Sequence, residues 1–365
     1  MALPKKFTVD ITHIVDGLND AQRQAVSAPL GNTLVVAGAG SGKTRVLVHR
    51  IAWLIEVEHV SPNSILAVTF TNKAAAEMRA RIEDMLNMSA RTMWVGTFHG
   101  LAHRLLRMHW KEAGLTQNFQ ILDSDDQLRL IKRVMKTLAI DEQKWPARQA
   151  MWFINGQKDE GRRARELPMS DDLFQITHKQ IYSAYEEICD QGGLVDFAEL
   201  LLRSHELWLN NPTLLDHYQS RFGHVLVDEF QDTNTIQYAW LRMLAGQRCQ
   251  IMAVGDDDQS IYGWRGAKIE NIHRFSEDFM EVQTVRLEQN YRSTQTILDA
   301  ANGLILRNTG RLGKHLWSNG PVGDPIRIYS GYNDLDEARF IAERTQQWLD
   351  EGGTANEVAV LYRSN

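Results

Sequence analysis

The stretch "VVAGAGSGKT" at residues 35–44 carries the first side chains able to do chemistry. It follows a short apolar run and opens a segment with helical spacing. Glycines at 38, 40 and 42 let the backbone turn tightly with its N–H groups inward, and a helix N-terminus behind them adds a favourable dipole. Such a loop cradles phosphate oxygens. Ala39, Gly40, Ser41 and Gly42 line it, Lys43 reaches the β- and γ-phosphates, and the Thr44 hydroxyl is placed to ligate Mg2+. The strict pattern asks for Gly at position 37, where this chain has Ala.

A second stretch, "VLVDEFQDTN" at 225–234, supplies what the cradle lacks. Its apolar start describes a strand that ends in adjacent carboxylates. Asp228 would hold Mg2+, directly or through water, and Glu229 would position and polarise an attacking water. A bare Asp-Glu after apolar residues is common; coupled to the phosphate loop it becomes a specific signal. The long interval between the two stretches requires the chain to leave a sheet and re-enter it.

Three other patterns are weaker. His99 and His103 stand four apart, as metal ligands on a helix can, but no Glu follows His99 and no third ligand is evident, so metal binding is not expected. "GRRARE" at 161–166 reads as a basic, solvated loop, with a phosphate contact as the alternative. "DSDDQ" at 123–127 reads as acidic residues at a helix N-terminus rather than a calcium loop.

The elements that must position these groups alternate. "TLVVA" (33–37), "ILAVTF" (65–70) and "TMWVGTF" (92–98) read as strands separated by helical segments at 43–59 and 72–86, the latter capped by Thr71 or Asn72. This order implies a parallel sheet with helices on its faces. From about 99 to 222 strands vanish and the text is helical. Strands return at 224–230, 249–256, 282–291, 325–331 and in the closing "EVAVLYRSN" (357–365). The expected fold class is α/β: a parallel sheet interrupted by a helical insertion, then the start of a second α/β domain. The expected domains are 1–97 with 223–288, an insertion at 98–222, and an incomplete second unit at 289–365. Apolar content of 43% and charged content of 24% are those of a soluble globular protein, and the net charge of −6 requires any polyanion to bind through a local surface. Two cysteines, Cys189 and Cys249, fit a reducing cytosol, and no apolar run is long enough to span a membrane.

"VGDDDQSIYGWRGA" (254–267), "LNDAQRQAV" (18–26), "AVTFTNKAAAEMR" (67–79), "VGTFHG" (95–100) and "RLEQNYRS" (286–293) add to these two stretches. Together they resemble superfamily 1A DNA helicases of the UvrD/Rep/PcrA family, over nearly the entire length and in the family's motif order. The resemblance implies a RecA-like, P-loop NTPase fold, ATP and Mg2+ as cofactors, and 3′→5′ movement on single-stranded DNA in repair and replication. It implies that Gln22 reads the adenine, Arg45 packs near the base, Tyr291 stacks on it, and Arg292 reaches the γ-phosphate. Gln259 would sense the γ-phosphate and link it to the DNA contacts downstream. Those contacts fall on Phe70, Tyr262 and Trp264 as faces for bases, on Arg265 as a cation beside Trp264, and on Thr71, Asn72, Thr97 and His99 as donors to the DNA backbone. Single-stranded DNA and single-strand/duplex junctions are the expected partners, with repair proteins or self-association as further ones, and no membrane.

Three functions compete on these residues: an ATP-driven translocase and helicase, a half-motor that binds nucleotide and DNA without turnover, and a small-molecule kinase. The kinase is disfavoured because the aromatics and "QNYRS" have no role in it. The resemblance implies a further catalytic arginine and an accessory insertion that these residues do not contain. The chain is therefore expected to bind ATP weakly and hydrolyse it poorly, to expose an open sheet edge after 289 that invites dimerisation, and to stop within a domain. Arg363 is the weaker candidate for a catalytic arginine; Arg292 takes that role.

Overall fold

The computed structural model describes residues 10–362. The sheet strands are β1 (Thr33–Ala37), β2 (Ile65–Thr69), β3 (Trp94–Thr97), β6 (His224–Val227), β7 (Gln250–Gly255) and β8 (Gln283–Leu287), with a separate parallel pair, β4 (Gln120–Ile121) and β5 (Leu194–Val195). The six pair in the order β3-β2-β6-β7-β1-β8, and every pairing is parallel. β1, β2 and most of β7 are buried along their length, as strands covered on both faces must be. Their alternating side chains feed two apolar clusters, one on each face. Leu34, Val36, Leu66 and Val68 point into one, and Val35, Ala37, Ile65 and Ala67 into the other.

Between β3 and β6 the chain is mostly helical, but strands do not vanish there as expected: β4 and β5, two residues each and far apart in sequence, pair with one another, and the stretch contributes to two cores. The Phe98–Met108 and Phe197–Asn210 helices bury Leu105, Leu201 and Trp208 in the same cluster as Leu34 and Val68 of the sheet. The stretch between them carries its own cluster around Ile131, Ile154 and Tyr182. A buried ion network joins the two: Lys158 lies 2.7 Å from Asp196 and 2.9 Å from Glu199, and Arg163 reaches Glu199, Glu186 and Glu206. This corrects the reading of "GRRARE" as a solvated loop, because Arg163 is buried by carboxylates that approach from distant helices. The acidic run at 123–127 is a cap: the Asp123 carboxylate accepts the backbone N–H groups of Asp125 and Asp126.

After β8 the expectation fails in one respect. Residues 325–331 and 358–362 form no strand. A strand needs a neighbour to satisfy its backbone, and β8 is the last strand of the sheet; Ile328 is 94% exposed with nothing to pair against. Beyond β8 the chain forms a loop, the Gln295–Ile305 helix, an extended strap, and the Asp334–Asp350 helix, which buries none of its residues. Arg363 lies outside the described residues.

Candidate nucleotide site and its adjoining groove

Parallel strands deliver their carboxyl ends to one edge of the sheet, and the crevice beyond that edge is where ligands bind in open α/β folds. The ends of β1 and β6, with β7 between them, bring Lys43 and Thr44 together with Asp228 and Glu229. After β1 the loop turns through Gly40 (φ 65°) and Gly42 (φ 88°), left-handed values that favour glycine, and the Lys43–Glu56 helix starts at once. After β6, Glu229 adopts φ 49°, a strained value for a side-chain-bearing residue, and this turn sends Asp228 and Glu229 toward the loop. The result is two contacts. Lys43 Nζ lies 2.7 Å from Glu229 Oε2, and the Thr44 hydroxyl donates to Asp228 Oδ2 at 3.2 Å.

Asp228 is buried and has no ion pair among the described residues. Burial, then the neighbouring Glu229 charge, pushes its carboxyl up to about 6. Asp232 is raised to about 6 for the same two reasons. A Thr hydroxyl beside a buried carboxylate that lacks its own cation is a hard-oxygen pair of the kind Mg2+ takes.

The remaining candidates divide. The Gln22 amide is buried and donates to Ser41 O at 2.8 Å, while its oxygen accepts from the Asn19 backbone, so it braces the phosphate loop. Tyr291 lies at the loop: its N–H donates to Gly40 O at 3.0 Å, its ring is half-exposed, and its hydroxyl meets Asn19. Arg292 follows so closely that a side chain on Gly40 would meet its Cβ at 2.7 Å. The Arg45 guanidinium lies against Gly17, beside a cavity it shares with His13 and Arg81. The Gln259 amide donates to Asp256, which follows the end of β7.

The aromatic and polar candidates gather in a groove formed by two adjoining cavities. The larger, about 350 Å³, is lined by Phe70, Thr71, His99, Tyr262 and Arg265; the smaller, about 290 Å³, by Phe70, Asn72, Thr97 and His99. Thr71 and Thr97 accept backbone N–H groups as helix caps, which leaves each hydroxyl proton free to donate outward. Burial lowers the pKa of His99, so its ring is neutral at ordinary pH. Trp264 stands apart from the cavities, three-quarters exposed, with the Arg265 guanidinium 4.5 Å over its ring.

Sequence reading missed three residues here. Phe197, from the helical insertion, forms a wall common to both cavities and meets His99 edge-on at 6.1 Å. Gln231 donates to Glu229 at 2.9 Å and accepts the Asp256 backbone N–H at 2.9 Å. Asn290 donates to Ala39 O at 2.5 Å and its oxygen accepts the N–H groups of Arg292 and Ser293. For Gln231 and Asn290 the one available signal was their position within the motif stretches; nothing in the type of any of the three marked it.

Comparison with known proteins agrees with this arrangement. Residues 18–280 match the UvrD/REP helicase N-terminal domain, and residues 285–365 match the UvrD-like helicase C-terminal domain. The DNA helicase II of Escherichia coli (strain K12) is 62% identical over 98% of this chain and 50% of its own length. That of Haemophilus influenzae is 59% identical over 98% and 50%. The ATP-dependent DNA helicase PcrA of Leuconostoc citreum is 43% identical over 98% and 48%. The chain thus spans about half the length of the curated relatives it matches. On the match across most of its length, with a parallel six-stranded sheet beneath it, this chain belongs to the UvrD/REP helicase family.

Proposed function

We propose that this chain carries the nucleotide-binding part, and one wall of the single-strand track, of an ATP-dependent 3′→5′ DNA helicase. The observation that carries the reading is a continuous path between the two sites. Lys43 meets Glu229, Glu229 meets Gln231, Gln231 holds Asp256, and Asp256 holds Gln259, three residues before Tyr262 in the groove. A site that hydrolyses nucleotide and a site that stacks bases are then mechanically one object.

ATP would lie against the loop from Ala39 to Thr44, its base toward Tyr291 with Gln22 and Arg45 nearby. Thr44 and Asp228 would hold Mg2+, which when bound neutralises charge on the phosphate oxygens. Lys43, released from Glu229, would move onto the terminal phosphates, and Glu229 would then be free to orient the attacking water. Arg292, one peptide from the loop contact at Tyr291, would stabilise charge developing on the transferred phosphoryl group. The groove has aromatic faces at Phe70 and Tyr262 and donors at Thr71, Asn72, Thr97 and Arg265, a set that suits a single strand without sequence preference. The first unit is residues 1–97 with 223–288, the insertion 98–222, and the second unit begins at 289. We place the protein in the cytoplasm, on single-stranded DNA and its junctions with duplex, with repair or replication proteins as partners.

A second reading, binding of both ligands without turnover, is favoured by the described residues after β8, which form no strand and leave an apolar helix face unburied. Steady-state ATP hydrolysis with and without oligothymidylate separates them. The helicase reading expects DNA-stimulated turnover that Lys43→Ala abolishes. Nucleotide and DNA binding with no turnover supports the second reading, and absence of nucleotide binding sinks both.

A further inference from the structure

Asp256, Asp257 and Asp258 leave the end of β7 together, with carboxylate oxygens close enough to surround a cation. A cation of the chain already sits among them. Lys314 Nζ lies 2.6 Å from Asp256 Oδ1, 2.8 Å from Asp257 Oδ1 and 2.6 Å from Asp258 Oδ2, and its side chain is 2% exposed. The ammonium donates to Asp257 and Asp258 and forms an ion pair with Asp256. Arg311 grips Asp258 with two bonds of 2.6 Å, and the Leu312 N–H donates to Asp257 at 2.7 Å. Burial works against charge on Asp258, but the bonds from Arg311 and Lys314 outweigh it and hold its pKa below the usual value.

Lys314 belongs to the strap between the Gln295–Ile305 and Asp334–Asp350 helices. The same strap reaches the phosphate loop. Leu316 packs so closely on Gly38 that a side chain there would meet its Cδ2 at 2.1 Å. Leu316 exchanges two hydrogen bonds with Asn302, and Trp317 donates to Glu288 O while accepting the Asn290 N–H. One oxygen of Asp256 therefore holds Gln259 and the other holds Lys314.

We propose that Lys314 is a positioning residue that couples the occupancy of the phosphate site to the chain beyond β8. The inference rests on the nucleotide site proposed above. A terminal phosphate competes with Glu229 for the Lys43 ammonium, since both are anions within its reach. Glu229 is bonded to Gln231, and Gln231 fixes the backbone of Asp256, so exchange of Lys43's partner alters the pull on Asp256. Lys314 passes that change to the strap, which carries Leu316 on Gly38 and Trp317 on Asn290. Coupling of this kind needs two arrangements of the strap that nucleotide favours unequally.

Amide hydrogen exchange on the whole chain tests it, with Mg2+ and a non-hydrolysable ATP analogue as the probe. In the wild type, nucleotide should change protection at residues 38–44 and at 310–318, the Leu312 amide included. In Lys314→Met the response at 38–44 should persist while that at 310–318 falls about fivefold or more, the low end of usual coupling between linked sites. Lys314→Arg should restore it, and DNA-stimulated kcat should fall in Lys314→Met with KM for ATP held. Should Lys314→Met not fold, the paired variant K314M/D257N, which removes one charge of each sign, gives the same reading. No response at 38–44 in the wild type overturns the nucleotide site and the relay with it. A response there with none at 310–318, or an undiminished strap response in K314M, overturns the relay alone.

Discussion

Replacing Asp228 by Asn should stabilise the ligand-free protein, and by an amount that depends on pH. Burial and the Glu229 charge raise the Asp228 carboxyl from 3.8 to about 6. That rise corresponds to about 3 kcal/mol between its protonation states. The sign comes from proton linkage. An acid whose folded pKa lies above its unfolded pKa contributes stability that is fully present below the unfolded value and lost as pH rises through the folded one. The window therefore runs from near 3.8 to just above 6. By about pH 5 roughly half of the loss has occurred, and by about pH 8 essentially all of it. Asn keeps the shape and does not titrate: its oxygen can still accept the Glu229 N–H, while its NH2 takes the other oxygen's place and donates to the Thr44 hydroxyl instead of accepting from it.

Urea unfolding of wild type and Asp228→Asn at these two pH values reads the difference directly. The variant should exceed the wild type at both, with the gap about 1.5 kcal/mol wider at the higher pH. Asp232, also raised to about 6, titrates in both proteins and drops out of the comparison. Mg2+ with nucleotide should close the gap, since a ligand that binds only the folded state stabilises it in proportion to the logarithm of its saturation. A gap that is equal at both pH values, or narrower at the higher one, would refute the reasoning. It would mean that Asp228 is already compensated, most simply by Lys43, and is not held ready for a cation.

Two further outcomes come from the packing. Lys158→Met leaves Asp196 and Glu199 buried without their ammonium, so it should cost about 3–5 kcal/mol in urea unfolding; a loss under about 1 kcal/mol would show that the network relaxes around the gap. Phe70→Ala or Tyr262→Ala should each weaken oligothymidylate binding by about 1–3 kcal/mol in fluorescence anisotropy, with nucleotide affinity kept. Unchanged DNA affinity in both would remove the groove as the track.

The parts of this site that were legible in the sequence are those where chemistry dictates adjacent residue types. A glycine-rich turn before Lys43 and Thr44, or two carboxylates at a strand end, fixes its own local geometry and can be recognised without knowing what lies opposite. Arg163, Asn290 and Lys314 are the opposite case. Each is a single polar residue in a loop whose partners lie far along the chain, at Glu199 and Glu206, at Ala39, and at Asp256 to Asp258. Local charge then suggests solvent, and for Arg163 that inference was wrong because burial is decided by the helices that close over it. The same limit explains residues 325–331. Ile326 and Ile328 alternate as a strand requires, yet alternation specifies only which face is apolar, and a strand forms only when a neighbour offers its backbone. The Asp334–Asp350 helix forms without one, because its hydrogen bonds close within the segment, and so it stands with its apolar side unburied. Beyond β8 the sequence suggests strands and neither of the two helices that the structure has there; a strand forms only where the sheet supplies a partner, whereas a helix needs none.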